Sequence, residues 1–136
     1  MYLLDANIFL EVALDQRLAE ECEKLLRDIE SSTAEAVISD FHLDTILIIM
    51  EHYDSAPSDM RMFISSLLGL RGLRIYTLSL SDRLKATGYM EKLCLDYDDA
   101  LAYQTMKRCK IDVIISYDKH FNNLPDIQRK EPGQVI

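Results

Sequence analysis

Short apolar runs alternate along the chain with stretches in which apolar residues recur every three or four positions. Residues 2–4, 36–38, 74–77 and 112–117 are brief, apolar and often β-branched, and they read as strands. Between them the spacing predicts helices over 7–14, 18–29, 40–53, 60–68, 81–93 and 96–110. Ser39 and Asp40 suit the start of the third helix, Ser58 or Asp59 that of the fourth, and Asp96 or Asp98 that of the last. Strands that alternate with helices imply a parallel sheet covered on both faces. The expected fold is therefore α/β: a three-layer α/β/α arrangement with a short, mainly parallel central sheet. No linker, repeat or low-complexity stretch divides the chain, so residues 1–136 are expected to form a single domain.

Composition narrows the function. The chain has 136 residues, of which 49% are apolar and 28% charged, so it has material for one core and is no disordered tail. The apolar run 46–50 is far too short to span a bilayer, and the first residues lack the basic and long apolar regions of a signal peptide. Three cysteines (Cys22, Cys94, Cys109) without metal-type spacing read as reduced thiols of a cytoplasmic protein with no membrane contact. There is no Gly-rich phosphate loop and no serine-hydrolase elbow. The net charge of −8 argues against gripping nucleic acid by charge alone. Of 23 acidic residues, 14 are aspartates, the shorter carboxylate suited to hard cations.

Two strands lead into aspartates, Asp5 and Asp118, and strand carboxyl ends are where ligand crevices form in such folds. Asp96, Asp98 and Asp99 cluster at a helix start; Asp98 can cap while Asp99 turns inward. Converging carboxylates repel one another, and no cation neighbours Asp5 or Asp99 in sequence. Lys119 and His120 follow Asp118 on a turn and are expected to point elsewhere. A divalent cation held by oxygen ligands, Mg²⁺ or Mn²⁺, resolves the repulsion.

The motifs Leu4-Asp5-Ala6-Asn7, Asp98-Asp99-Ala100 and Ser116-Tyr117-Asp118-Lys119-His120-Phe121, in this order and spacing, resemble those of PIN-domain proteins, most of all the small prokaryotic VapC-like toxins. The resemblance covers nearly the whole chain. It implies a flavodoxin-like fold and Mg²⁺- or Mn²⁺-dependent cleavage of RNA. It also implies metal ligation by Asp5, Asp99 and Asp118, support from Asn7 and Ser116, an antitoxin partner and a homodimer. One departure stands out: the family's glutamate on the helix after the second strand is missing, and either Asp44 or Thr45 falls at its place. Asp44 is taken as the stand-in catalytic carboxylate. Asp40, Glu11, Thr45 and Asp96 are candidates for the pocket rim. His42 and His52 lack zinc spacing and read as surface or helix-end residues, with His42 at most at the pocket's edge.

A non-catalytic PIN-like module that binds RNA or protein, its site weakened by the missing glutamate, is the alternative. A receiver-type signalling domain fits poorly, because Ser116-Tyr117-Asp118-Lys119 lacks that fold's arrangement of phosphoacceptor and lysine.

Overall fold

The computed structural model describes residues 1–136. Five strands, β1 (Tyr2–Leu4), β2 (Ala36–Ser39), β3 (Leu73–Tyr76), β4 (Val113–Ile115) and β5 (Gln128–Lys130), form one sheet in the order β3-β2-β1-β4-β5. Every pairing is parallel, with Leu3 opposite both Val37 and Ile114. The helices are α1 (Ala6–Ala13), α2 (Ala19–Glu30), α3 (Asp40–His52), α4 (Pro57–Leu68), α5 (Leu80–Leu93) and α6 (Tyr97–Cys109).

Side chains alternate across each strand, and that alternation splits the core into two layers. Leu4, Ile38 and Ile115 face α1 to α4, where they meet Phe9, Leu25, Ile46 and Met50. Leu3, Val37 and Ile114 face α6, where they meet Ala102, Tyr103 and Met106. A third cluster joins α5 to α6 through Ala86, Ala100 and Leu101. The result is the expected three-layer α/β/α fold. Because α6 lies between the sheet and α5, every residue from Ala100 to Met106 is buried, polar Gln104 and Thr105 included.

Some boundaries differ from the sequence reading, each for a local reason. β4 ends at Ile115, and the Ser116 N–H still donates to Lys130 O at 2.9 Å before the chain turns. The strand β5 was not expected: Gln128-Arg129-Lys130 is polar, and only pairing with β4 along the sheet edge makes it a strand. The fourth helix starts earlier, with Ala56 at the N-cap, Pro57 in the first turn, and the Asp59 carboxylate accepting the Ala56 N–H at 3.2 Å.

A buried polar knot fixes α5 against α6 and β3. Ser79 caps α5, and Asp82 accepts hydrogen bonds from the Ser79 N–H (3.0 Å) and hydroxyl (3.1 Å), the Tyr76 hydroxyl (2.7 Å) and Gln104 Nε2 (2.8 Å). Burial alone would push the Asp82 carboxyl up, but the donors from Ser79, Gln104 and Tyr76 outweigh it and hold the group well below the usual carboxylate range. Such a group stabilises the fold above its unfolded value and loses that contribution as the pH falls through its folded one. Replacing Asp82 with Ala orphans buried donors. It is expected to lower stability by about 3 kcal/mol at neutral pH, read from urea unfolding, with a smaller difference in strong acid.

Candidate active site

The chain reverses direction across the sheet at β1: β2 and β3 lie on one side, β4 and β5 on the other. The carboxyl ends of β1 and β4 therefore open a crevice at the switch point. Asp5 follows β1 directly, as the N-cap of α1, and its backbone N–H continues the ladder to Ile115 O at 3.0 Å. Ser116 follows β4 and is fully buried; its hydroxyl donates to Asp5 Oδ2 at 2.5 Å and accepts the Asp118 N–H at 2.9 Å. One hydroxyl thus ties the two strand ends together. Asp118 caps the 3-10 turn Lys119–Asn123 through the His120 N–H.

The N-terminus of α6 comes in from above. Of the two expected cap candidates, Asp96 and Asp98, it is Asp96 that caps the helix, accepting the Asp99 N–H at 2.9 Å. Asp98 and Asp99 sit in the first turn, where the helix dipole favours negative charge. A small recess lined by Asp5, His42, Asp98, Asp99, Ile114 and Phe121 lies between these elements.

The electrostatics record the crowding. Burial raises the Asp5 carboxyl, Asp98 adds to the rise, and the Ser116 hydroxyl, His42 and the Asn7 N–H pull against it. Asp99 is pushed up to about 6, first by burial and then by Asp96, Asp118, Asp98 and Asp5. Asp99 is thus the acid on which the charge of the mouth bears most. Asp99, Asp118 and His120 offer ligand atoms that all lie within 4.8 Å of one another. Ligands of one octahedral Mg²⁺-sized ion lie up to ~4.2 Å apart at ~2.1 Å each, so this donor set fits a small divalent cation after slight adjustment.

The sequence profile of the PIN domain matches residues 2–127. The chain belongs to the PIN-domain family. No curated protein matches it in sequence. Among solved structures it resembles a chain of a toxin–antitoxin complex from Klebsiella pneumoniae, with 16% identity, a TM-score of 0.70, and coverage of 97% of this chain and 98% of that one. It also resembles the Mycobacterium tuberculosis toxin VapC20, which cleaves the sarcin–ricin loop, with 9% identity, a TM-score of 0.72, and coverage of 94% and 99%. A chain of VapBC2 from Rickettsia felis, bound to a DNA fragment from its promoter, aligns with 15% identity, a TM-score of 0.67, and coverage of 96% and 97%. At these identities the likenesses establish the fold.

Within this PIN domain the expected residues sort clearly. Asp5, Asp99, Asp118 and Ser116 meet at one mouth. Asn7 is exposed on α1 and reaches Asp5 only through its backbone N–H. Asp44 does not join them. The inward face of α3 carries His42, Ile46 and Met50, and Asp44, two residues from His42, lies on the opposite, exposed side. Thr45 turns its hydroxyl back to Phe41 O at 2.9 Å. Asp40 binds the Phe41 and Leu78 N–H groups at 2.9 and 3.0 Å, and Glu11 accepts the Leu18 N–H at 2.9 Å; both serve local structure rather than the rim.

Three further residues belong to the site: two histidines that the sequence reading set aside, and Arg129, which it did not weigh. His42 is buried, with Nε2 at 2.6 Å from Asp98 Oδ1 and Nδ1 at 2.5 Å from Ser39 Oγ. Its signal was present: Ile46 and Met50 mark the inward face, and one turn back is position 42. His120 does not point away but places Nδ1 3.1 Å from Asp118 Oδ1 and 3.9 Å from Asp99 Oδ2. Arg129, on the unexpected β5, braces the Asp118 segment by donating to Ser116 O at 2.8 Å and Asn122 Oδ1 at 2.7 Å.

Because Asp99 is raised in the fold, its contribution to stability is fully present below its unfolded value and is lost as the pH rises through about 6. In chelator, Asp99→Asn should therefore melt higher than the parent above neutral pH, by about 2 kcal/mol, with the gap closing near pH ~4. Thermal melts across pH check it.

Proposed function

We propose that this chain is a divalent-metal-dependent endoribonuclease, the toxin of a toxin–antitoxin pair, with residues 1–136 acting as one PIN unit. The observation that carries the reading is that Asp99 and Asp118 offer oxygens within 4.8 Å of each other at the switch point of a PIN fold, with Asp5 tied to the Asp118 segment through Ser116. Asp5, Asp99 and Asp118 would hold the ion, Mg²⁺ or Mn²⁺, with Ser116 orienting Asp5 and the Asp118 backbone. When bound, such an ion lowers the pKa of a water and neutralises phosphoryl oxygens, the requirements of phosphodiester hydrolysis without a covalent intermediate. The chain's own residues fix where the phosphodiester is presented. The acidic mouth sits on two strand ends and one buried helix, a rigid frame that holds the carboxylates in place between turnovers.

The toxin assignment draws support from the toxin–antitoxin systems among the structural likenesses. It also draws on an apolar cleft between α1, α2 and α4, lined by Phe9, Val12, Leu26, Met50, Phe63 and Leu67, with exposed Met62 beside it, which suits an antitoxin segment or a second copy in a homodimer. No helix is long and apolar enough to cross a membrane, and the three cysteines are free, in keeping with action in the cytoplasm.

No carboxylate of α3 reaches the mouth, which favours a second reading, a non-catalytic module that binds RNA or protein. Cleavage of an RNA oligonucleotide in Mn²⁺, with the chain purified free of partner, separates the two. The nuclease is expected to cleave, and Asp5→Asn or Asp118→Asn should each lower the rate by about 100-fold or more without lowering the melting temperature in chelator. A chain that cleaves nothing would be the module, and variants as active as the parent would refute the mechanism.

A further inference from the structure

The chain carries a net charge of −8, yet one pocket is lined by cations. It is a trough of about 500 Å³ between the last turn of α6 and the edge strand β3, with Arg74, Tyr76, Arg108, Cys109 and Lys110 around it and Val37 at its base. Cations at a helix C-terminus complement the helix dipole, which accounts for Arg108 and Lys110. It does not account for Arg74. That residue pairs in register with Val37, whose side chain faces α6, so β3 brings a third cation to the same side of the sheet. All three are exposed, and none forms an ion pair. Arg74 donates to Met1 Sδ at 3.6 Å, a weak acceptor. Arg74 and Arg108 converge: burial pushes the Cys109 thiol up, and both guanidiniums pull it back against Asp82. Asp82 itself is taken up by the donors of the polar knot.

We propose that this trough binds the phosphate backbone of single-stranded RNA, as a second contact apart from the acidic mouth. The inference rests on the RNA reading above and adds where the strand is held. Carboxylates at the mouth repel phosphate until a metal neutralises them, so the grip on the strand has to come from elsewhere. An RNA strand suits the trough better than a lone anion does, because its charges recur at about 3.4 Å and can meet three cations in turn. The thirteen residues of α6 separate the trough from the mouth by ~20 Å, about six such steps.

Fluorescence anisotropy of a labelled RNA of about 12 nucleotides, twice that span, tests it on the full chain in chelator, where the mouth repels the strand. The parent is expected to bind, with log affinity falling against log salt at a slope of about −2, as for three phosphates of a single strand. Arg74→Gln, Arg108→Gln and Lys110→Gln combined should weaken binding about 10-fold or more and flatten the slope. Arg61→Gln, Lys85→Gln and Lys92→Gln combined, which removes the same charge from exposed positions elsewhere, should cost less than about 3-fold. Equal losses in the two triple variants would mean that overall charge is responsible, and would overturn the site, as would a parent that binds no RNA. Should the trough variant melt lower than the parent, Arg74→Gln alone decides, and should take about 0.7 off the slope. Bound RNA should also slow alkylation of Cys109, read by mass spectrometry; an unchanged rate with RNA bound would place the strand elsewhere and overturn the site. AMP that binds as tightly as the oligonucleotide would make the trough a nucleotide pocket and overturn the RNA assignment. Cleavage in Mn²⁺ separates the two levels. If the parent cleaves and the trough variant binds and cleaves like it, only this inference fails. If the parent binds through the trough and cleaves nothing, only the nuclease reading fails.

Discussion

Mutual repulsion among carboxylates is the constraint around which this protein is arranged. Asp5, Asp98, Asp99 and Asp118 converge on one end of the sheet, and Asp99 is lifted to about 6 by burial and its neighbours. Nothing in that group favours its own assembly. The scaffold must hold it, through the positive end of α6, the hydroxyl of Ser116, the imidazoles of His42 and His120, and turns whose backbone N–H groups aim at oxygen. The two-layer core supplies the force: apolar burial on both sheet faces is large compared with the few kcal/mol at stake in the mouth.

Topology decides which acids meet. Since β1 is central and β4 lies beside it, residues more than a hundred positions apart share one hydroxyl. The same arrangement buries α6 from Ala100 to Met106, so its first turn is anchored and its two acids are presented from a fixed axis. Across the recess α3 faces that turn, and His42 Nε2 lies 2.6 Å from Asp98 Oδ1.

Much of this was legible in the residues. Short apolar, often β-branched runs marked four strands, stretches with apolar residues every three or four positions marked all six helices, and aspartates after β1 and β4 marked the crevice. The strand β5 was illegible because an edge strand of Gln, Arg and Lys has no pattern of its own; pairing with β4 creates it. Asp44 was misjudged because position in a motif was weighed above the direction of the helix face, which Ile46 and Met50 had already set. His120 was misjudged for a related reason: a turn of the 3-10 kind points its second residue back over its own cap, and no linear spacing reveals that.

Arg129 gives the mouth two halves of unequal stiffness. On one side Asp99 stands on a helix enclosed by sheet and α5. On the other, the segment bearing Asp118 is braced by a guanidinium from a three-residue strand with no neighbour beyond it. Border strands of that length fray far more readily than enclosed helices, so amide exchange would be quickest along this flank. The two acidic banks thus rest on unequal supports, one inside the core and one at the sheet's edge.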